Sequence, residues 1–127
     1  MYSGQEEPFL DSIRFFYKDT ITFSKFQRAP FYKTLLHLRM DNPALAANAP
    51  FSKLRTDKDS SIYAYERGTG NNKVLVILNL SGSQQAFNWV DQPSEKQWNN
   101  VFGGNPETIQ SSLTMQPWAF AVFELRK

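Results

Sequence analysis

Glu6, Glu7, Asp11 and Asp19 are the carboxylates that the first twenty residues offer for acid–base chemistry. Hydrolysis by a carboxylate pair needs one group on either side of the bond at a set separation. Glu6 and Glu7 are adjacent and point apart in an extended segment. Asp11 and Asp19 stand in no helical or strand relation to them, so spacing alone gives no acid–nucleophile pair. Cysteine is absent, which removes disulfides, thiolate nucleophiles and thiolate metal sites together. His37 is the sole histidine, and no partner pattern surrounds it, so a solvent-facing or half-buried structural role is expected. Asp57 and Asp59 flank Lys58 as in a solvated turn and do not supply the oxygens a calcium ion needs. No metal site and no cofactor is expected.

Gly68-Thr69-Gly70-Asn71-Asn72-Lys73 superficially resembles a phosphate loop. It lacks the Gly-Lys-Ser/Thr ending and leads into a strand, so the anion-cradling geometry fails and a hairpin loop is expected. Asn79-Leu80-Ser81 is a formal glycosylation sequon at a strand end, read as accidental. Aromatic rings give a second route to function. Tyr63, Tyr65, Trp89, Trp98 and Trp118 either fill the core or form a platform on which sugar rings stack. The alternation around them gives each ring a plausible inner face, which favours packing.

These residues must be held by a chain of 127, one domain of ordinary size, with 41% apolar and 15% aromatic residues. That composition excludes intrinsic disorder. A formal charge of +2 is too small to neutralise a row of phosphates, so nucleic acid is not an expected partner. No apolar run approaches the ~18 residues of a membrane span, and a membrane is not an expected partner either. The Met1–Glu7 stretch is polar and acidic, unlike a signal peptide.

Character changes near residue 50. Pro30 suits a first helical turn, and Phe31, Leu35 and Leu38 recur at helical spacing through Phe31–Met40. Asn42 precedes Pro43, which ends the helix near Asp41. After Pro50 the pattern becomes β. Ser61–Arg67 puts Tyr63 and Tyr65 on one face, with Ile62 and Ala64 on the other. Gly68–Asn72 is the loop of a hairpin, and Lys73–Leu80 is apolar on both faces, as a central strand should be. Further strands are expected over Gln85–Val90, Gln97–Phe102, Ile109–Leu113 and Trp118–Leu125. The spacing predicts a mainly β fold, an antiparallel β-sandwich at 50–127, preceded by an N-terminal arm at 1–49 with one helix.

Several phrases resemble the α-amylase family, glycoside hydrolase family 13. Tyr2-Ser3-Gly4-Gln5-Glu6 is similar to the Gly-Gln-Glu ending after the last barrel strand. Phe15-Phe16-Tyr17-Lys18-Asp19, Phe31-Tyr32-Lys33, Leu36-His37-Leu38-Arg39 and Asn42-Pro43-Ala44-Leu45 resemble the last barrel helix and the step into domain C. Tyr63–Arg67, Gly70 and Val74–Ser81 resemble the first strands of that Greek-key domain.

The resemblance implies that 1–49 is the last barrel loop and helix and 50–127 is domain C. The family's three catalytic carboxylates lie upstream of Gly4, so none is expected here and the chain is expected to be inactive alone. The implied role is structural: domain C stabilises the catalytic barrel of a parent that cleaves α-1,4-glucosidic bonds of starch or maltodextrin. Glu7 and Arg14, in the loop that borders the glucan subsites, are the implied substrate contacts of the full enzyme. The alternatives are a carbohydrate-binding module in which Tyr63, Tyr65, Trp89 or Trp98 stacks on an α-glucan, and a protein-interaction sandwich. An arm deprived of its barrel is expected to drive homo-oligomer formation. The compartment is open, with a periplasmic or extracellular parent the expectation and any address lying before Met1.

Overall fold

The computed structural model describes residues 4–8, 12, 16, 20 and 22–126. Contacts divide the chain into two units, Met1–His37 and Leu38–Lys127.

In the first unit, Glu7 is buried and both of its carboxylate oxygens accept hydrogen bonds from backbone amides. Ser24 N–H donates at 2.9 Å, Lys25 N–H at 3.1 and 3.2 Å, and Phe26 N–H at 3.1 Å. Consecutive amides aimed at one carboxylate make an anion nest. Phe26 itself has φ +47°. Burial pushes the Glu7 carboxyl up, but the amides of Phe26, Lys25 and Ser24 outweigh it and hold the group below the usual carboxylate range. The helix α1, Ala29–Asp41, follows. Pro30 sits in its first turn, where a missing N–H leaves no bond unmade. It stops at Asp41 because Asn42, ahead of Pro43, is extended (φ −107°, ψ 113°). The helix and its end are as the periodicity predicts.

The second unit is built from β1 (Phe51–Leu54), β2 (Ile62–Thr69), β3 (Asn72–Asn79), β4 (Gln85–Asn88), β5 (Gln97–Asn100), β6 (Pro106–Thr108), β7 (Ser112–Met115) and β8 (Phe120–Leu125). Six strands form one sheet in the order β1-β2-β3-β8-β5-β6, and β4 pairs with β7 in a second. Every pairing is antiparallel. The fold is thus a mainly β antiparallel sandwich with one helix.

The interior between the sheets holds Leu54, Ile62, Ala64, Leu75, Ile77 and Phe123 from the large sheet, Trp98 from β5, and Phe87, Trp89 and Met115 from the small sheet's side. Fully burying an aliphatic side chain such as Leu75 contributes about 1.5–3 kcal/mol. On the opposite face, Val74, Val76 and Val122 pack with Leu38 from the last turn of α1 and Ala44 from the short 3-10 turn Pro43–Leu45. Asn42 fixes that turn. Its Oδ1 accepts from Ala44 N–H at 3.0 Å, while its Nδ2 donates to Glu124 Oε2 at 3.1 Å and to the Leu125 carbonyl at 3.2 Å.

Three strand expectations are corrected. The strand expected at Ile109–Leu113 begins only at Ser112, as β7; residues 109–111 are the break after β6, and Ile109 packs on the core from there. Trp118 precedes β8 rather than opening it. The hairpin loop is shorter than Gly68–Asn72, because Thr69 pairs with Asn72 and leaves only Gly70 and Asn71 in the turn. Gly70 has φ +57°, the sign that a type II′ turn takes at its first central residue. β1 was not anticipated, since three of its four residues are exposed and show no buried alternation.

Gly68 is required where the Pro43–Leu45 turn meets the sheet. Its φ is +98°, and a Cβ there would lie 2.2 Å from the Asn72 carbonyl oxygen and 2.6 Å from Ala44 Cβ. Gly68→Ala is therefore expected to lower the unfolding free energy by roughly 2–4 kcal/mol, from left-handed strain and overpacking together, as read by urea denaturation. In the first unit, the Glu7 carboxyl should titrate below the ordinary range in carbon-detected NMR. Because its folded value is depressed, its stabilisation is present above the unfolded value and is lost as pH falls through the folded one. Glu7→Gln should remove that acid-limb loss and speed amide exchange at Ser24, Lys25 and Phe26.

Candidate functional site

The strand period places Phe51 and Lys53 of β1, Tyr63 and Tyr65 of β2, Leu78 of β3 and Phe120 of β8 on the sheet face away from the β4–β7 pair. Part of that face lies under Leu38 and Ala44. The rest of the face is aromatic, running from Phe51 on the edge strand, level with Val74, to Phe120, level with Leu78. Phe51 and Tyr65 have ring centroids 5.2 Å apart, and Tyr65 and Tyr63 are 5.9 Å apart. Lys53 Nζ stands 5.8 Å over the Tyr63 ring and 2.7 Å from Asp59 Oδ2. Leu78 pairs with Tyr63 on one side and Phe120 on the other, and Phe102 meets Phe120 edge-on at 5.3 Å. Phe51 is 55% exposed, Phe120 47% and Phe102 40%. Tyr63 and Tyr65 are half-buried, and burial pushes the Tyr65 phenol up.

Trp89 and Trp98 are elsewhere. Both belong to the core between the sheets, and Trp98 is 1% exposed. Each indole N–H is satisfied internally, Trp89 on the Gln110 carbonyl at 3.1 Å and Trp98 on the Glu95 carbonyl at 2.9 Å. Neither offers a ring face to a ligand, so of the five rings named for a platform Tyr63, Tyr65 and Trp118 reach the surface. Glu7 is occupied by backbone amides, and Arg14 lies outside the described residues. His37 is exposed. Among the described residues no group of three His, Asp or Glu side chains is placed to hold a metal ion, and no helix is long and apolar enough to cross a membrane. An open cleft of about 420 Å³ near the β2–β3 hairpin is lined by Asn71, Glu95, Gln97, Asn99 and Arg126 among others. Glu95 is the one carboxylate in its lining, whereas hydrolysis by a carboxylate pair needs two.

Asn79 of the sequon and Trp118, the fifth ring the sequence offered for stacking, stand at the far end of β8 from that cleft. Asn79 is 1% exposed. Its Nδ2 donates to the Ser83 and Gln116 carbonyls, each at 2.8 Å, and its Oδ1 accepts from Ser81 N–H at 3.0 Å and Ser81 Oγ at 2.7 Å. The sequon's amide is therefore fully engaged and tied into the fold. Trp118 is 68% exposed with φ +57°. It follows Pro117 in a turn closed by Ala119 N–H on the Gln116 carbonyl at 3.1 Å. A turn with proline second and positive φ third normally takes glycine or asparagine there. Tryptophan in that conformation costs roughly 1–3 kcal/mol. The Gln-Pro pair signalled the turn in the sequence; nothing there signalled an indole at its left-handed position.

Comparison with known proteins agrees with this architecture. The family described as the α-amylase SusG C-terminal domain matches residues 62–122. Alpha-amylase 3 of Dictyoglomus thermophilum is 27% identical over 94 residues, covering 74% of this chain and 18% of its own length. The maltogenic α-amylase AmyB of Thermotoga neapolitana superposes with a TM-score of 0.77 at 15% identity, over 98% of this chain and 32% of that one. The trehalulose synthase MutB of Pseudomonas mesoacidophila MX-45 superposes at 0.57 and 22% identity, over 76% of this chain and 17% of its own. The chain therefore spans less than a third of each of these proteins. In sequence and in fold, the chain is similar to the C-terminal, domain C-type β region of α-amylase family enzymes.

Proposed function

We propose that the chain stabilises the catalytic barrel of an α-amylase-like enzyme by packing the aromatic part of its large sheet against it. The observation that carries this is the division of one sheet face. The part around Val74, Val76 and Val122 is covered by Leu38 and Ala44, while Phe51 on the edge strand and Phe102 and Phe120 toward β8 are 40–55% exposed. A soluble monomer seldom leaves a contiguous apolar patch of several rings in water, and such patches mark contact surfaces. In this reading residues 1–49 are the arm from the barrel, residues 50–127 are domain C, and the parent hydrolyses α-1,4-glucosidic bonds of starch or maltodextrin. Arg14 is retained as its contact to a glucan hydroxyl, and Glu7 as the residue that shapes the loop beside it. Without a barrel, the N-terminal arm engages a second copy, which makes the chain a homo-oligomer. The Tyr63–Tyr65 pair supports a second reading, in which those two rings stack on an α-glucan.

The test uses an enzyme that carries this chain downstream of its barrel. Phe51→Ser with Phe120→Ser should lower the melting temperature, by about 2–4 °C for each kcal/mol of packing lost, with kcat/KM for maltoheptaose unchanged well below it. An unchanged melting temperature overturns the packing role. If Tyr63→Ser and Tyr65→Ser instead raise KM for long glucans and leave the melting temperature alone, the stacking reading replaces it.

A further inference from the structure

We infer that Trp118 is the stacking platform of a separate carbohydrate site, at the end of the sandwich formed by the β3–β4 and β7–β8 connections, and that its ligand is a neutral glucan chain. The inference rests on the likeness to α-amylases for the choice of sugar, and does not depend on the barrel-packing role.

The argument begins with strain. An exposed side chain that contributes little burial gains nothing from a backbone conformation that suits glycine, yet Trp118 holds φ +57° with 68% of its surface in water. Such an outlier points from structure toward function. The surroundings keep the ring in place. Trp118 N–H donates to the Ser81 carbonyl at 3.1 Å, and a Cβ built on Gly82 would lie 3.7 Å from the indole Nε1 and Cζ2. The indole edge thus lies beside a residue with no side chain. Asn79, buried beneath, joins the two connections by bonding the Ser83 and Gln116 carbonyls. It is the positioning residue of the site.

The chemistry around the ring selects the ligand. Residues 74–90 and 108–123 contain no Asp, Glu, Lys, Arg or His. The polar groups they bring to this end are neutral: Ser81, Ser83, Gln84, Gln85 and Gln116. Gln85 Nε2 already bridges Ser81 Oγ at 3.1 Å and Ser83 Oγ at 3.0 Å, so the hydroxyls are ordered. A phosphate, a nucleic acid or an anionic membrane needs cations, and neither of these two connections brings one. A pyranose presents a flat C–H face to an aromatic ring and neutral hydroxyls at its edge, which matches an indole rimmed by hydroxyls and amides.

The probe is maltoheptaose, titrated calorimetrically into the 127-residue chain, with cellohexaose in parallel to separate α- from β-linked glucan. Trp118→Gly is the decisive variant, because it relieves the backbone strain and removes the ring together. The expected result is a higher melting temperature with maltoheptaose affinity reduced about tenfold or more, while Trp118→Phe retains part of the affinity. A structural role for the indole would give the opposite sign, a lower melting temperature for Trp118→Gly. That result, unchanged affinity in the variant, or no binding by the original chain at millimolar maltoheptaose would each overturn the site.

Discussion

The sandwich depends on one strand that water cannot touch on either side. β3 carries Leu75 and Ile77 on one face and Val74 and Val76 on the other, all buried. A strand of that kind demands cover above and below its sheet, and a two-layer sandwich supplies only one layer. Here the β4–β7 pair covers one side. The second side receives an unusual lid, the last turn of α1 and the Pro43–Leu45 turn, through Leu38 and Ala44. That lid is small because it consists of one helical turn and one 3-10 turn, so it covers only part of the face. The exposed rings of Phe51 and Phe120 follow from the same constraint. They extend the apolar surface that β3 began beyond the reach of Leu38 and Ala44.

Buried amides hold the covers in register. Asn42 and Asn79 are each 1% exposed, and each joins segments far apart in sequence. Asn42 links the step after α1 to the end of β8, and Asn79 links the β3–β4 connection to the β7–β8 turn. Each sits at an opposite end of the sheet, and each saturates both its donor and its acceptor, without which burial of an amide would be costly. Charge does comparable work at the open edge. Arg55 after β1 grips Asp91 through two bonds of 2.7 and 2.9 Å, and the guanidinium holds the Asp91 carboxyl down to about 2. Asp57 binds Asn88 N–H and Nδ2 nearby, so the edge of the large sheet is tied to β4 by exposed polar bonds rather than by packing.

What the sequence made legible follows from where period and burial agree. The two-sided apolar run at Val74–Leu78 could only be a central strand, and the placement of Tyr63 and Tyr65 opposite Ile62 and Ala64 is the one observed. The helix end at Asp41 was legible because proline acts locally, through its own ring. β1 was not legible, because a strand of Phe-Ser-Lys-Leu with one buried residue has no period to read. The expected strand start at Ile109 failed for a related reason. Ile109 and Leu113 both pack against the core, but the one from the break after β6 and the other from β7, and a hydrophobic pair four apart cannot reveal that break. For the surfaces, the family phrases signalled a domain C, whereas which aromatics would be inside was decided by partners the sequence does not display. Trp89 and Trp98 are inside because the carbonyls of Gln110 and Glu95 await their N–H groups.

Trp118 shows the complementary case. An aromatic directly before a strand reads as that strand's first residue, and its apolar character argues for burial. The turn overrides both. Pro117 presets the second turn position, Asn79 fixes the carbonyl of Gln116 at the first, and the chain must then pass through positive φ before β8 can start at Phe120. Glycine would satisfy that demand with less strain, as Gly68 and Gly70 do at the other end of the sheet. The two ends of the sandwich therefore solve the same backbone problem with different residues. At the hairpin the positive-φ residues are the ones with no side chain, and at Gly68 a close approach by Ala44 leaves no alternative. Around Trp118 there is room for a side chain, so the choice of the largest one is set by what lies outside the chain rather than by the fold.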